Sequence, residues 1–554
     1  MYIYRHDPAR GKTTLMPYSG RERLSMSSES LLPSGARNST DVFAVHGADP
    51  EVLAYAMAKY SRSALSMRES LTEISSQRAE QFLNTFYFEY GHRSIADLAH
   101  IAFAVERLSL LAAMVLVDEQ RWDGQERSTR YQNFVKSGWY LPGFGEDAAS
   151  GQLYVETVQS LFATYQQTTP AVQEALRRRV TRPESMKPEA YERTLKARAF
   201  DVARYLLPLA TNTSLGQIVN ARTLETQVSR LLSHPMAEVR ELGVKLREAA
   251  TGPAWNVNAQ AASAFIQKLS VTDHNLAGEA SQLFVREVKT APTLVKYAHA
   301  NNYQVKTQAE LSHAARELLG REPIAAAPVV DLVERTESLE VELAATLIYS
   351  AGQHSFRQTR DVVASLPEAR VNEIIELGLR HRGRHDEAFR AFHAGAALRF
   401  DFLMDIGGFR DMHRHRRCTQ IIQPLTTAHG CEIPENGDMG PGVNLLEEAG
   451  VMAEFKSAVA KAHAASNEIA ASKATEAEQS ALYLLPLGTR IRSLFKMEFA
   501  EAQYISELRS APAGHFSYRR VAWEMYLALQ RQHPALAKHL RVTDFTQTID
   551  ILQR

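Results

Sequence analysis

Two short segments of the sequence concentrate side chains that bind phosphate groups and polar rings. Residues 118–131 read DEQRWDGQERSTRY, and residues 414–427 read RHRRCTQIIQPLTT. The first segment ends with Glu126, Ser128 and Arg130, and the second begins with Arg414, His415 and Arg416. Arginine binds phosphate through paired hydrogen bonds, and a serine hydroxyl with nearby backbone N–H groups completes a mononucleotide phosphate site. Each segment could therefore contribute to a site that binds an anion.

The arginines of the second segment also have a simpler explanation. On a helix, Arg410, Arg414 and Arg417 lie at positions i, i+4 and i+7 and form one basic stripe, as a solvated surface would show. Two features favour a site instead. The preceding segment FDFLMDIGGFRDM is apolar enough to predict a largely buried helix, and Gly407–Gly408 costs that helix about 1 kcal/mol per residue relative to alanine. We therefore expect backbone or a ligand to approach closely at these glycines.

The elements that position these segments occur twice along the chain. Residues 205–211 read YLLPLAT and residues 483–489 read YLLPLGT, with six identities in seven positions. Self-similarity of this kind indicates a repeat. An apolar stretch leads into each polar segment, near 92–117 and near 388–413, and both stretches are predicted to be helical.

The repeats divide the chain into four parts. We predict a flexible polar arm at 1–40, a first repeat at 41–275, a connector at 276–327 and a second repeat at 328–554. Short strands are predicted at DVFAV, at PVVDLV and after each YLLPL, and most of the remaining sequence has helical spacing. The fold class expected is α+β with helices dominant.

Composition excludes several classes of function. The 554 residues carry 63 Lys plus Arg and 63 Asp plus Glu, so the chain lacks the net positive charge that bulk nucleic-acid binding needs. Its two cysteines, Cys418 and Cys431, indicate a reducing compartment without a disulfide framework. The longest apolar run, residues 110–117, is too short to span a bilayer, and residues 1–40 lack the apolar core of a secretory signal. We expect a cytoplasmic protein that does not cross a membrane.

Three further candidates have ordinary explanations. His381 and His385 could bind a metal on one helix face, but no cysteine or acidic residue has ligand spacing beside them, so no metal site is predicted. Cys418 follows the arginine cluster, which would stabilise a thiolate, although a structural thiol is the simpler expectation. Trp122 could stack on a ring, or serve as a core aromatic.

Taken together, the motifs resemble those of the flavin-dependent thymidylate synthases, whose arginine motif reads RHRxxSxxExSxRY. The first repeat matches the family at four places, namely Gly91, His92 and Ser94; residues 126–131; Ala203, Arg204, Leu207 and Pro208; and Asn220, Ala221 and Arg222. EQR at 119–121 replaces the centre of its arginine motif. The second repeat keeps Arg414, His415 and Arg416, the LLP at 484–486 and the pair Leu508–Arg509. It has lost the rest, with Pro424, Thr426, Leu482 and Glu498 at the positions of the serine, the two arginines and the asparagine.

The resemblance implies one intact site in a fused pseudo-dimer. In the family the deoxyuridylate site lies between two subunits, and one of them contributes the RHR arginine and the late LR arginine. The second repeat keeps that set, and the first repeat keeps the partner's set. Since simple decay would not respect this division, we infer one composite site and one dead site. If family tetramers contain four single-domain subunits, two of these chains would form a homodimer that is a pseudo-tetramer.

The resemblance also implies the chemistry and the role of each residue. The expected reaction is reductive methylation of dUMP with FAD, with methylenetetrahydrofolate as carbon donor and NADPH as reductant. Arg509 would be catalytic, stabilising negative charge on the uracil ring. The nucleotide would be held by Glu126, Ser128, Arg130, Arg204, Asp411, Arg414 and Arg509. The flavin would be held by Ser94, Glu126, Asn220, Arg222, Arg414, His415 and Arg416.

One departure leaves the substrate open. Asp411 stands where the family has glutamine, and its carboxylate would either repel a phosphate or accept hydrogen bonds from a base. The alternatives are therefore a relative that modifies another pyrimidine nucleotide, and a non-catalytic protein that binds a nucleotide or flavin. RNA or DNA binding through the RHRR sequence is disfavoured by the zero net charge.

Overall fold

The computed structural model describes residues 2–7, 12–17, 47–59, 93–296, 298–334, 336–383, 386, 388–440, 442–474 and 476–552. Contacts divide the chain into a small unit, residues 1–48, and a large unit, residues 49–554. In the small unit, strand β1 (Tyr2–Asp7) pairs antiparallel with β2 (Lys12–Pro17), within the range for which the sequence predicts a flexible arm. The predicted strand DVFAV and the residues Gly91 and His92 lie outside the described residues.

The first repeat combines one small sheet with long helices. In chain order, its elements are α1 (Pro50–Lys59), β3 (His100–Ser109), α2 (Leu110–Leu116), β4 (Asp123–Glu126), α3 (Ala148–Arg179), α4 (Pro188–Ala203), β5 (Asn212–Asn220), α5 (Ala221–Leu232) and α6 (Ala237–Thr251). Short 3₁₀ turns occupy Arg93–Leu98 and Arg204–Leu206. The three strands are antiparallel in the order β3–β5–β4.

Six α-helices and one strand lie between this set and its second copy in the described part of the chain. They are α7 (Ala259–Ser270), α8 (His274–Phe284), α9 (Asn302–Leu319), β6 (Val330–Leu332) and α10 (Leu339–Tyr349), followed by α11 (Phe356–Ala364) and α12 (Glu368–Leu379). The predicted repeat boundary at 275 falls inside α8, and the predicted connector contains α9. Helices α9 to α12 build a separate apolar cluster. Within the described part of the chain, no helix is both long enough and apolar enough to span a membrane.

The second repeat reproduces the order of the first. Its elements are β7 (Leu398–Asp405), α13 (Ile406–Met412), β8 (Thr419–Ile422), α14 (Leu445–Glu448), α15 (Met452–Ala470), α16 (Ala477–Leu482), β9 (Arg490–Met497), α17 (Phe499–Ser510), α18 (Phe516–Gln532) and α19 (Pro534–Ala537). Its sheet has the order β6–β7–β9–β8, and every neighbouring pair is antiparallel. The predicted α+β class, the tandem repeat and the strands after YLLPL are confirmed.

The helices predicted before the two polar segments are wrong over most of their length. In the first repeat, residues 100–109 form β3, and only 110–116 are helical; in the second, 398–405 form β7 before α13 begins. β7 is buried on both faces, and its charged residues Arg399, Asp401 and Asp405 are buried with the rest. Its burial therefore does not follow the one-sided alternation that identifies a half-buried strand. The basic stripe is also wrong, because α13 ends at Met412 and Arg414 lies beyond it.

The repeats join through their YLLPL segments around a local two-fold axis. Leu209 N–H donates to Leu485 O (2.9 Å), and Leu487 N–H donates to Leu207 O (2.9 Å). The two bonds are equivalent, because replacing each residue by its counterpart in the other repeat turns one bond into the other, as at an isologous dimer contact. Pro208 and Pro486 face each other at the axis, so the pseudo-dimer is built directly on the duplicated motif.

A second pair of contacts shows how the copies have diverged while remaining complementary. Ser109 caps α2 and donates its hydroxyl to Glu238 Oε2 (2.6 Å). In the second repeat Asp405 caps α13, and its carboxylate accepts from the Ser517 hydroxyl. The carboxylate and the hydroxyl have changed places between strand and helix, which preserves a charge-assisted hydrogen bond in both copies.

Candidate active site between the repeats

Arg204 is the buried cation at the centre of the predicted site. It follows α4, and its Nη1 lies 3.5 Å from Thr129 Oγ1. The guanidinium Nε and Nη2 are buried without a hydrogen-bond partner among the described residues. The glycines of α13 make room for this arrangement, because a Cβ at Gly407 would lie 3.5 Å from both nitrogens and one at Gly408 would collide with Ser517. Side chains, rather than the predicted backbone or ligand, make the close approach at these glycines.

Asp411 joins the arginines that the two repeats contribute. Its Oδ2 lies 3.9 Å from Arg204 Nη1, and its Oδ1 lies 3.7 Å from Arg414 Nε. Arg204 is almost fully buried, whereas Arg414 has 49% of its side chain exposed. The residue at the family's glutamine position therefore acts as the counter-ion that one cation from each repeat shares.

Arg130 reaches across to the second repeat. Its Nε and Nη2 donate to the two carboxylate oxygens of Asp201 (2.8 and 3.2 Å), and its Nη1 donates to the Tyr518 hydroxyl (2.9 Å). Burial alone would lower the pKa of Arg130, but the Asp201 carboxylate outweighs it and raises that pKa. Ser128 lies beside it, and its hydroxyl accepts from Arg130 N–H (3.2 Å).

Arg509 contacts the same tyrosine. Its guanidinium lies 5.4 Å from the centre of the Tyr518 ring, and its Nε donates to His415 Nε2 (2.8 Å). Burial, and next the charge of Arg509, lower the pKa of His415 to about 3. His415 is therefore neutral at physiological pH, and it orients Arg509 without cancelling its charge.

The remaining predicted residues lie in two further groups. Glu126 pairs with Arg410, so the first repeat also meets α13 through an ion pair. Arg416 donates to the carbonyls of Val117 and Glu119, and its guanidinium lies 5.0 Å from the centre of the Trp122 ring.

Asn220 caps α5 by accepting from Thr223 N–H (2.8 Å), and Arg222 Nη1 lies 3.3 Å from Asp97 Oδ2. Ser94 lies in the 3₁₀ turn that contains Asp97, and its side chain is outside the described set.

The opposite half of the pseudo-dimer carries carboxylates at the positions of the RHR motif. Glu119 is the counterpart of His415, and it holds Arg230 through bonds to Nε (2.9 Å) and Nη2 (2.7 Å). Asp118 replaces Arg414 and accepts from Arg390 (2.6 Å). Burial would raise the pKa of Asp118, but Arg390 and His413 outweigh it and hold that pKa well below its usual value. The chain's own acids therefore neutralise the cations of this half.

Sequence reasoning missed two residues that complete the site. Asp201 lies one helical turn before Arg204, and an acid so close to the AR-x-x-LP segment could have indicated it. Tyr518 lies 388 positions from Arg130, and no local pattern indicates it. Both are buried where the repeats meet.

The minor candidates have structural roles. Burial raises the pKa of the Cys418 thiol to about 12, so the arginines do not stabilise a thiolate there. His381 Nε2 lies 2.8 Å from Glu310 Oε1, while His385 lies outside the described residues. Trp122 donates its indole N–H to Gln217 (2.7 Å) and packs against the core.

We expect the chain to lose stability when the pH falls below about 6.5, the ordinary pKa of histidine. Burial is the largest cause that lowers the pKa of His415 to about 3 and those of His234 and His429 to about 4. Between these values the unfolded chain binds protons that the folded chain does not, so the free energy of unfolding rises with pH and levels off above 6.5. Melting temperatures from pH 4 to 8 measure this, and His415→Gln should flatten the curve. A wild-type melting temperature independent of pH over that range would contradict the expectation.

The fold and the site together define a protein made of two copies of one domain, with its polar site between them. A model of the thymidylate synthase complementing protein family matches residues 44–252 and again residues 331–535. The chain therefore belongs to the thymidylate synthase complementing protein family and contains its domain twice.

Two of the relatives match along most of this chain, and a third matches over about a third of it. A UPF0159 protein of Chlamydia muridarum is 28% identical over 537 residues, covering 90% of this chain and 91% of its own. A UPF0159 protein of Thermoplasma acidophilum is 24% identical over 520 residues, covering 88% of this chain and 94% of its own. A flavin-dependent thymidylate synthase of Clostridium tetani is 22% identical over 211 residues, which cover 36% of this chain and 81% of that protein.

A solved structure is similar over part of the chain. It is the flavin-dependent thymidylate synthase of Helicobacter pylori in complex with FAD and dUMP, at 16% identity and a TM-score of 0.25. The alignment covers 36% of this chain and 89% of that one.

Proposed function

We propose that this chain is a flavin-dependent thymidylate synthase with one composite site between its repeats. It would convert dUMP to dTMP by reductive methylation, with methylenetetrahydrofolate as carbon donor and NADPH as reductant. The observation that carries the proposal is Arg204, a buried cation whose Nε and Nη2 have no partner among the described residues. Buried guanidinium N–H groups without a hydrogen-bond acceptor are costly, and an anionic ligand would supply acceptors for them.

The nucleotide would bind where both repeats contribute cations. Arg130 and Arg204 from the first repeat, with Arg414 from the second, would hold the phosphate. Arg509 would face the uracil ring, where its charge stabilises the electron-rich form of the base. Because His415 is neutral, Arg509 keeps its full charge for that task, as electrostatic stabilisation of a transition state requires.

The residues proposed for the flavin fit an anionic cofactor in part. Arg414 and Arg222 keep about half and a third of their side chains exposed, so both can reach a diphosphate. Asn220 and Arg416 are already engaged with the α5 backbone and with two carbonyls. FAD would supply the hydride chemistry when bound, while the protein's residues position the nucleotide and polarise its ring.

One observation favours a second candidate, a relative that acts on another pyrimidine nucleotide or only binds one. Asp201 and Asp411 pair with three of the proposed phosphate-binding arginines. A site that carries its own counter-ions has less excess charge for a dianionic phosphate. Flavin reduction by NADPH, with tritium release from C5-labelled dUMP, separates an active synthase from a binding protein.

The direct test is a dUMP titration followed by the visible spectrum of the FAD-loaded protein. We expect a shift that saturates near one dUMP per chain, because Asp118 and Glu119 already neutralise cations of the opposite half of the pseudo-dimer. We call that half the closed half. Arg130→Ala and Arg414→Ala should each weaken dUMP binding at least about tenfold, the value of one charged hydrogen bond. Arg370→Ala, at a partly exposed arginine paired on α12, should leave affinity unchanged. If both site variants bind dUMP as the wild type does, the shared-site proposal is wrong.

A further inference from the structure

The segment between the family-like helices forms a helical hairpin that leaves the domain and returns at one point. At its base, Ala254 N–H donates to Val288 O (2.7 Å), and Ala291 N–H donates to Ala250 O (2.9 Å). Helices α7 and α8 pack against each other, and among the described elements neither packs comparably on any other. We call residues 252–290 the hairpin.

The hairpin exposes large apolar side chains along its whole length. Their exposed fractions are 87% for Trp255, 72% for Val257, 58% for Phe265, 87% for Val271, 48% for Leu276, 71% for Leu283 and 58% for Phe284. Exposed apolar side chains at this density along the chain indicate an interaction surface. The seven residues are more than a third of the large exposed apolar side chains found in the described part of the chain.

The hairpin also lacks a core of its own. Helix α7 has no buried residue, and α8 buries only Ala277 and Ala280. A helix of this length is marginal in water unless packing stabilises it. Ala259, Ala262, Ile266 and Leu269 form the half-buried stripe of α7, so the opposite face, with Phe265, has no partner within the described chain.

We propose that the hairpin is a dimerisation arm, and that a second copy of this chain covers its apolar face. The seven side chains expose roughly 800–900 Å² per chain, taking about 150–250 Å² for each fully exposed aromatic. That equals the share each partner contributes to an interface of standard size. Two antiparallel hairpins related by a two-fold axis form a four-helix bundle, which buries such faces. The proposal goes beyond the catalytic function and does not depend on it.

The charges of the hairpin favour a second copy over a membrane surface. Between Trp255 and Phe284 the charged residues are Lys268, Asp273 and Glu279. A membrane-binding helix needs lysines and arginines on its polar face to attract anionic lipids, and this segment has one. The low charge also means that two copies meet without strong repulsion.

Sedimentation velocity of the full chain and of Leu276→Glu/Leu283→Glu tests the proposal. We expect the wild type to sediment as a dimer. The variant's dissociation constant should rise at least about a hundredfold, because the two-fold axis places each substituted residue in the interface twice, and the carboxylates there would be buried without a partner. Leu339→Glu is the matched control, because Leu339 is 49% exposed on α10. It should leave the dimer unchanged.

Hydrogen exchange on the unmodified chain removes any dependence on folding of the variant. Amides of α7 and α8 should be protected in concentrated solution and lose protection on dilution, while those of α15 stay constant. A monomeric wild type, or a variant that remains as dimeric as the wild type, would overturn the proposal. Flotation of the wild type with phosphatidylcholine–phosphatidylglycerol vesicles would assign the face to a membrane instead.

Discussion

Asp411→Gln should bind dUMP at least about tenfold more tightly than the wild type. In the free protein, the Asp411 carboxylate lies 3.9 Å from Arg204 and 3.7 Å from Arg414, where it competes with a phosphate for both cations. Glutamine removes that competition, and a charged hydrogen bond gained by the ligand is worth about 1.5–3 kcal/mol. Isothermal titration with dUMP measures the change directly.

The same substitution should destabilise the free protein, and dUMP should reverse the effect. Without the Asp411 carboxylate, the buried Arg204 guanidinium loses an ion pair, which lowers the melting temperature. A bound phosphate restores the counter-charge, so the ligand-induced rise in melting temperature should exceed that of the wild type. Asp361→Asn, at an exposed acid on α11, controls for the loss of one charge. Weaker dUMP binding by Asp411→Gln would show that Asp411 accepts hydrogen bonds from the base.

The duplication and the sheet strands after YLLPL could be predicted because their signals are local. A proline-containing heptapeptide with six identities identifies the repeat, and the structure uses it as the two-fold contact between Leu209 and Leu485. Similarly, the bipartite loss of motif residues groups Arg204 with Arg414, and the structure brings both to Asp411. The repeat follows from the sequence itself, whereas the grouping of the two arginines follows from the resemblance to the family.

Other features depend on contacts that no local pattern records. β3 and β7 were predicted as helices because an apolar run fits either structure, and only pairing with β5 and β9 decides. The partners Asp201 and Tyr518 meet Arg130 across 71 and 388 positions. The carboxylates of the closed half appeared as motif decay, yet Glu119 holds Arg230 in a specific ion pair. Tertiary packing gives these residues their roles.

His415→Glu should reduce turnover about 10²–10³-fold, the loss expected when one group that stabilises developing charge is removed. The substitution gives the intact half a glutamate at the position where the closed half has Glu119. There the carboxylate neutralises Arg230, and in the intact half it would neutralise Arg509, which a neutral imidazole now only orients. Tritium release from C5-labelled dUMP measures the rate.

Comparison of kcat with KM distinguishes a positioning role from general damage. Because the proposed site holds the phosphate through Arg130, Arg204 and Arg414, His415→Glu should lower kcat and change the KM for dUMP little. His415→Gln keeps a neutral acceptor for Arg509 and should retain most of the activity. Glu119→His, the reciprocal change, should leave the rate unaltered, because the proposal places the substrate in the intact half alone. Equal losses in His415→Glu and Glu119→His would mean that the two halves are not functionally distinct, and the single-site proposal would fail.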